Sequence, residues 1–157
     1  MSKSATFDGG NADLVTMSVA NAQFGVPVLQ VRDVLDNPKT YSVPLAPPEV
    51  KGSINLRGRI VTAIDLRVRL GLPPREPNAS RMCVIVESEK TAEPYAFLVD
   101  EVGDVLHVSG DQYEPNPITL SREWAELCRG LYRNEGALLL VLDTQAVLNF
   151  AGVDAAA

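Results

Sequence analysis

The chain has 157 residues, 46% hydrophobic but only 6% aromatic, with 20 acidic against 14 basic side chains and a net charge of −6. That length suits one ordinary domain or two small lobes with an aliphatic core. The acidic balance argues against nucleic acid as the main partner, and no apolar run reaches the roughly 18 residues of a membrane span.

In chain order, residues 1–11 are small and polar. They lack a hydrophobic signal region and are expected to be a disordered tail, so the protein is expected to be cytoplasmic. From Leu14 to Val19 the chain alternates, with Val15, Met17 and Val19 set against Thr16 and Ser18; this reads as a strand with one wet face. A second strand starts at Phe24, and Pro27, lacking a donor, suggests an edge position. Val28 to Leu35 fits a helical stripe and a strand equally well. Tyr41 to Pro48 holds Pro44, Pro47 and Pro48 and is expected to be an extended connector.

The chain is organised around residues 50–70. Gly52 to Leu56 and Ile60 to Leu66 read as two strands joined by a tight turn at Arg57-Gly58, where glycine can take a positive φ. Ile60, Thr62, Ile64 and Leu66 alternate with Val61, Ala63 and Asp65, so the second strand should be covered on both faces. Further strands are expected at Met82–Val86, Tyr95–Val99, Val102–Val108, Leu131–Arg133 and Ala137–Leu142. Ser121 is placed to cap a helix from Arg122 to Cys128, and Asp143 a last helix from Thr144 to about Ala151. Eight to ten short strands with two short helices near the C-terminus point to small barrels or a sandwich.

Few residues carry chemistry. His107, the only histidine, lies in a strand without neighbours at metal-ligand spacing. Cys83 and Cys128 read as buried free thiols. Asp100, Glu101 and Asp104 lack the spacing of a calcium loop and read as a solvated turn. No catalytic residue, metal site or cofactor is expected, and an enzyme or ligand-binding barrel stands as the alternative. Arg57 is the conspicuous group, because an arginine beside a turn glycine can reach a carboxylate in bidentate geometry. Asp33 is one candidate partner and Asp65 another. The pair is either an ordinary surface contact, worth up to about 1 kcal/mol, or a device that shapes a binding face.

Taken together, these residues resemble a known family. Val50-Lys-Gly-Ser-Ile-Asn-Leu-Arg-Gly-Arg-Ile-Val with Ile64-Asp-Leu-Arg-Val-Arg-Leu-Gly-Leu resembles the signature of the chemotaxis coupling protein CheW family. Phe24-Gly-Val-Pro-Val-Leu-Gln-Val-Arg-Asp-Val, Val99-Asp-Glu-Val-Gly-Asp-Val and Gly136-Ala-Leu-Leu-Leu-Val-Leu-Asp are similar to its other segments, so the likeness runs from about Leu14 to Phe150.

The resemblance implies an all-β fold of two small five-stranded SH3-like barrels packed side by side. A single such domain is expected over residues 12–152, with no receiver or kinase segment, and with residues 153–157 fraying. The implied function is a non-enzymatic adaptor linking transmembrane chemoreceptors to the histidine kinase CheA. The groove between the barrels would take the receptor's helical hairpin tip, with Val31 lining it. Another face would pair with the kinase's regulatory domain, and contacts with other copies of the chain are plausible. The implied receptor- or kinase-binding residues are Val31, Asp33, Gly52, Asn55, Leu56, Arg57, Gly58 and Asp65. Asp33 and Arg57 would be the family's paired acid and arginine. Gly52 would be the glycine whose replacement distorts the site. Asp33 stands where the family commonly has glutamate, Thr62 where it has proline, and the loop at Ile118 and Thr119 shows no family pattern.

Overall fold

The computed structural model describes residues 9–73, 76 and 79–150. The expected tail at residues 1–8 and the expected fraying at residues 153–157 lie outside them. Gly10 and Asn11 depart from the expected disorder: the Gly10 carbonyl accepts from the Tyr132 hydroxyl, and Asn11 Oδ1 accepts from the Gly110 amide at 2.8 Å.

Among the described residues there are eleven strands and three short helices. These are β1 (Ala12–Val19), β2 (Ala22–Pro27), β3 (Val31–Asp36), β4 (Val50–Leu56), β5 (Arg59–Asp65), α1 (Leu66–Arg69), β6 (Met82–Glu87), β7 (Pro94–Val99), β8 (Glu101–Val108), β9 (Tyr113–Glu114), α2 (Arg122–Leu127), β10 (Cys128–Asn134), β11 (Ala137–Leu142) and α3 (Thr144–Leu148). One sheet runs β8-β1-β2-β11-β10-β9 and the other β3-β6-β7-β5-β4. The two-lobed, all-β architecture expected from sequence is therefore present. The first sheet gains a sixth strand, the two-residue β9, and α1 is a mid-chain helix where the sequence shows only the end of a strand at Leu66.

Alternation along the strands builds three packed regions. Ile54, Val61, Ala63, Cys83, Ile85, Ala96 and Leu98 fill the second lobe. Leu14, Val108, Tyr132, Leu139 and Val141 fill the first. The opposite faces of the same strands meet between the lobes, where Met17, Phe24 and Val26 pack with Ile64, Val84 and Phe97. Strands buried on both faces must be apolar at successive positions, which explains the unbroken runs Cys83–Val86 and Ala96–Val99. Burial of this aliphatic surface, at about 25 cal/mol per Å², is the main force holding the lobes together.

Three expectations are corrected. Pro27 does not mark an edge: β2 lies between β1 and β11, and Pro27 is its last residue, beyond the Gln23–Gly25 stretch that pairs with β11. The supposed wet face of β1 is covered. Thr16 is buried, and its hydroxyl donates to the Asp104 carbonyl at 2.7 Å where the β1–β8 register slips; the bulge displaces that carbonyl from the ladder and the threonine satisfies it. The ambiguous segment after Pro27 splits into a 3₁₀ turn, Val28–Gln30, followed by β3.

Candidate partner-binding site

The β4–β5 hairpin turns through Arg57 and Gly58, with φ of 51° and 87°. Two successive positive φ values suit the twist of a two-residue hairpin. Asn55 Oδ1 accepts from the Gly58 amide at 2.8 Å, pinning the turn. Its geometry projects Arg57 outward, leaving its side chain 77% exposed, while Nη2 donates to Asp33 Oδ2 at 2.8 Å. Asp33 is the more buried partner, and its Oδ1 also accepts from the Val34 amide at 2.8 Å. The shorter aspartate thus still reaches the arginine, through one guanidinium nitrogen. Because β3 and β4 are the two edges of their sheet, this ion pair laces the open side of the second lobe. Leu35 and Leu56, on the same strands, pack onto that lobe's interior.

Gly52 is fixed by a neighbour. A Cβ there would stand 2.2 Å from the Tyr41 carbonyl oxygen, and its φ is +154°. Tyr41 and Ser53 exchange two backbone hydrogen bonds, each 2.8 Å, so the proline-rich connector is stitched to β4 beside a residue that can have no side chain.

Val31 opens β3, pairs with Val86, and packs half-buried against the core between the lobes. The turn before it exposes Leu29. Ile60, directly after the charged turn, is 72% exposed. Sequence reading assigned Ile60 to a covered face, but cover on that face begins only at Ile64. An isoleucine two residues past an exposed turn could have been suspected, since that end of a hairpin outruns its sheet.

Asp65 does not join this cluster. It sits at the opposite end of β5 from the turn, buried, where its carboxylate caps α1 by accepting from the Arg67 amide at 3.0 Å and lies 3.9 Å from Arg81. The Asp-Leu-Arg-Val-Arg segment is therefore a joint between lobes. Arg67 grips Asp100 with Nε at 3.1 Å and Nη2 at 2.8 Å. Its pKa is raised by the hydrogen bond to Asp100, which outweighs the opposing effect of burial. Arg69 donates to the Val147 carbonyl at 2.9 Å and the Ala146 carbonyl at 3.0 Å, closing the C-terminus of α3. Burial pulls the Arg69 pKa down. Trp124 Nε1 donates to the Leu70 carbonyl at 2.9 Å. Gly71, at φ +75°, ends α1 by donating its amide to the Val68 carbonyl while Leu72 donates to Arg67. Asp100, expected in a solvated turn, is thus largely buried and fully engaged.

The remaining chemistry-bearing groups are remote from this surface or inert. Burial pushes both thiols up to about 12, so Cys83 and Cys128 stay protonated at neutral pH. His107 is exposed and faces Asp13 across the β1–β8 pair. Among the described residues no group of three or more His, Cys, Asp or Glu is placed to hold a metal ion, and no helix is long and apolar enough to cross a membrane.

What the arrangement offers is a rigid turn with an exposed arginine, exposed aliphatic side chains and a sheet edge. The model of the family described as "CheW: CheW-like domain" matches residues 13–151. The "Chemotaxis protein CheW" of Rhizobium meliloti (strain 1021) is 30% identical over 138 residues, covering 88% of each chain. The "Probable chemotaxis protein CheW" of Rhizobium etli is 26% identical over 147 residues, covering 94% of each. The crystal structure of the scaffolding protein TtCheW from Thermoanaerobacter tengcongensis shares the fold with a TM-score of 0.80 at 23% identity, covering 90% of this chain and 94% of that one. A match spanning nearly all the described residues, with both lobes and the signature hairpin in place, means that the chain belongs to the CheW-like domain family.

Proposed function

We propose that this chain is a non-enzymatic coupling protein of chemotaxis that links transmembrane chemoreceptors to the histidine kinase CheA. The observation that carries the reading is the likeness, over almost the whole chain, to relatives named as chemotaxis CheW proteins. The physical character of the surface supports it. A site for a partner protein needs a rigid display of apolar anchors with charged groups for orientation. Arg57, held by Asp33 and by the Asn55-braced turn, supplies the charge. Val31, Leu29 and Ile60 supply apolar surface.

In this reading Val31 belongs to a groove between the lobes that takes the receptor's hairpin tip. Asp33, Asn55, Leu56, Arg57 and Gly58 form the neighbouring contact surface, and Gly52 keeps it in shape. Asp65 contributes indirectly, by fixing α1. A separate lobe face meets the kinase's regulatory domain, and further copies of the chain extend the assembly. The protein works in the cytoplasm at receptor arrays. The test is a pull-down of receptor cytoplasmic fragments and kinase by the wild-type chain and by Arg57→Ala. Wild-type protein should retain both, and a folded Arg57→Ala variant should retain less of at least one. Equal retention by the two would remove the role given to Arg57, and retention of neither by wild type would overturn the adaptor reading.

A further inference from the structure

Among the described residues the chain passes between the lobes twice. One crossing is the turn Val28–Gln30, between β2 of the first lobe and β3 of the second. The other is a single residue, Asp100, standing between β7 of the second lobe and β8 of the first. Its carboxylate is gripped from both sides. Arg67, on α1 of the second lobe, donates from Nε to Oδ1 at 3.1 Å and from Nη2 to Oδ2 at 2.8 Å. The Ala20 amide, in the β1–β2 turn of the first lobe, donates to Oδ2 at 2.7 Å. The Asp100 amide donates to the Ser18 carbonyl of β1 at 3.0 Å. Arg67 is itself steered by the Pro73 carbonyl, 2.9 Å from Nη1. Both side chains are largely buried, at 20% and 13% exposure.

The attraction within the shared aliphatic core is itself non-directional, so a directional contact across the lobes adds a separate constraint on the angle between them. A forked guanidinium on a carboxylate has one planar arrangement, and here that plane connects elements of different lobes at the point where the backbone crosses. We propose that the Arg67–Asp100 pair is a positioning lock: it sets the angle between the two lobes, and so tunes binding of a partner that spans both, without touching that partner. The inference rests on the adaptor reading, in which the receptor tip lies between the lobes and the kinase domain meets one lobe face. It therefore requires the two affinities to separate when the lock is removed.

The experiment compares wild type with Asp100→Asn, and with Arg67→Lys as a variant that keeps the charge but loses the fork. Amide residual dipolar couplings, fitted to each lobe separately, report the angle between lobes. Titration with a receptor hairpin fragment and with the kinase regulatory domain reports the two affinities. The lock predicts a changed or widened inter-lobe alignment, receptor affinity at least fivefold weaker, and kinase-domain affinity within twofold of wild type. If Asp100→Asn does not fold, the same criteria are read from Arg67→Lys. Unchanged alignment, unchanged receptor affinity, or an equal loss of both affinities overturns the proposal. If wild-type protein binds neither fragment, the adaptor reading falls and the dipolar couplings alone judge the lock: shifted lobes uphold it and unshifted lobes overturn it.

Discussion

Replacing Gly52 with alanine adds one methyl group and should cost far more than a methyl usually does. Its Cβ would lie 2.2 Å from the Tyr41 oxygen and 2.9 Å from the Tyr41 carbonyl carbon, both backbone atoms that no rotamer change can move. Relief requires the connector to peel from β4. That breaks the reciprocal Tyr41–Ser53 hydrogen bonds, a loss of about 1–3 kcal/mol for two bonds. The φ of +154° is also open to glycine and closed to most other residues, adding about 1–3 kcal/mol of backbone strain. The expected destabilisation is about 3 kcal/mol, or a fall in Tm of about 6–12 °C for a chain of this size. Urea unfolding followed by circular dichroism measures it, with the slope m checking that two-state behaviour persists. A Gly52→Ala protein within about 0.5 kcal/mol of wild type would refute the close-approach argument. It would also remove the physical reason for counting Gly52 among the residues that shape the site.

Other variants separate display from support. Arg57→Ala should change stability by less than about 1 kcal/mol, since its ion pair is exposed, while weakening partner binding about tenfold by titration calorimetry, or about 1.4 kcal/mol, above the roughly 1 kcal/mol that most interface truncations stay under. Arg69→Met keeps bulk but removes the side-chain donor to the Val147 carbonyl, while Ala146 still accepts from the Asn149 amide at 3.1 Å, and should lower stability by about 1–2 kcal/mol in urea. The two thiols give a pH signature. Burial raises each to about 12, so above about pH 8.5 the unfolded chain sheds thiol protons that the folded chain keeps. Stability should then fall as pH rises, by about 1.4 kcal/mol per thiol per pH unit. A Cys83→Ala, Cys128→Ala double variant should show a shallower loss between pH 8.5 and 10, and an unchanged slope would contradict the burial argument.

The fold was largely readable because its strands are short β-rich runs, some alternating and some, such as β6 and β7, apolar throughout, and the turn chemistry at Arg57-Gly58 and Gly136 marks hairpins plainly. The Asp33–Arg57 pairing was also within reach, as two complementary charges at a sheet edge and a turn. What was hidden shares one cause: tertiary contacts that the local pattern cannot encode. Thr16 reads as polar and outward, yet its hydroxyl serves a bulge on a strand 88 residues away in sequence. Asp100 reads as one member of an acidic run, although α1 is what gives it a partner. Asp65 reads only as the end of a strand, and its capping role stays hidden because α1, only four residues long, has no helical period to show. Ile60 sits at the end of a strand whose cover stops short of it.

Residues 50–71 explain why one continuous signature can serve two purposes. At one end of β5 the turn holds out Arg57 with no covering side chains. At the other, Asp65, Arg67 and Arg69 bind α1 to Asp100 and to α3. The seven-residue strand between them is packed against one lobe's interior through Val61 and Ala63 and against the shared core through Ile64. Any tilt of the joint is therefore transmitted to the display end with little slack, since packed interiors transmit strain. A preformed surface gives up less conformational freedom when a partner arrives, and so keeps more of a modest contact area as affinity. On that argument Arg67 and Arg69, through their contacts inside the molecule, help hold the surface that displays Arg57.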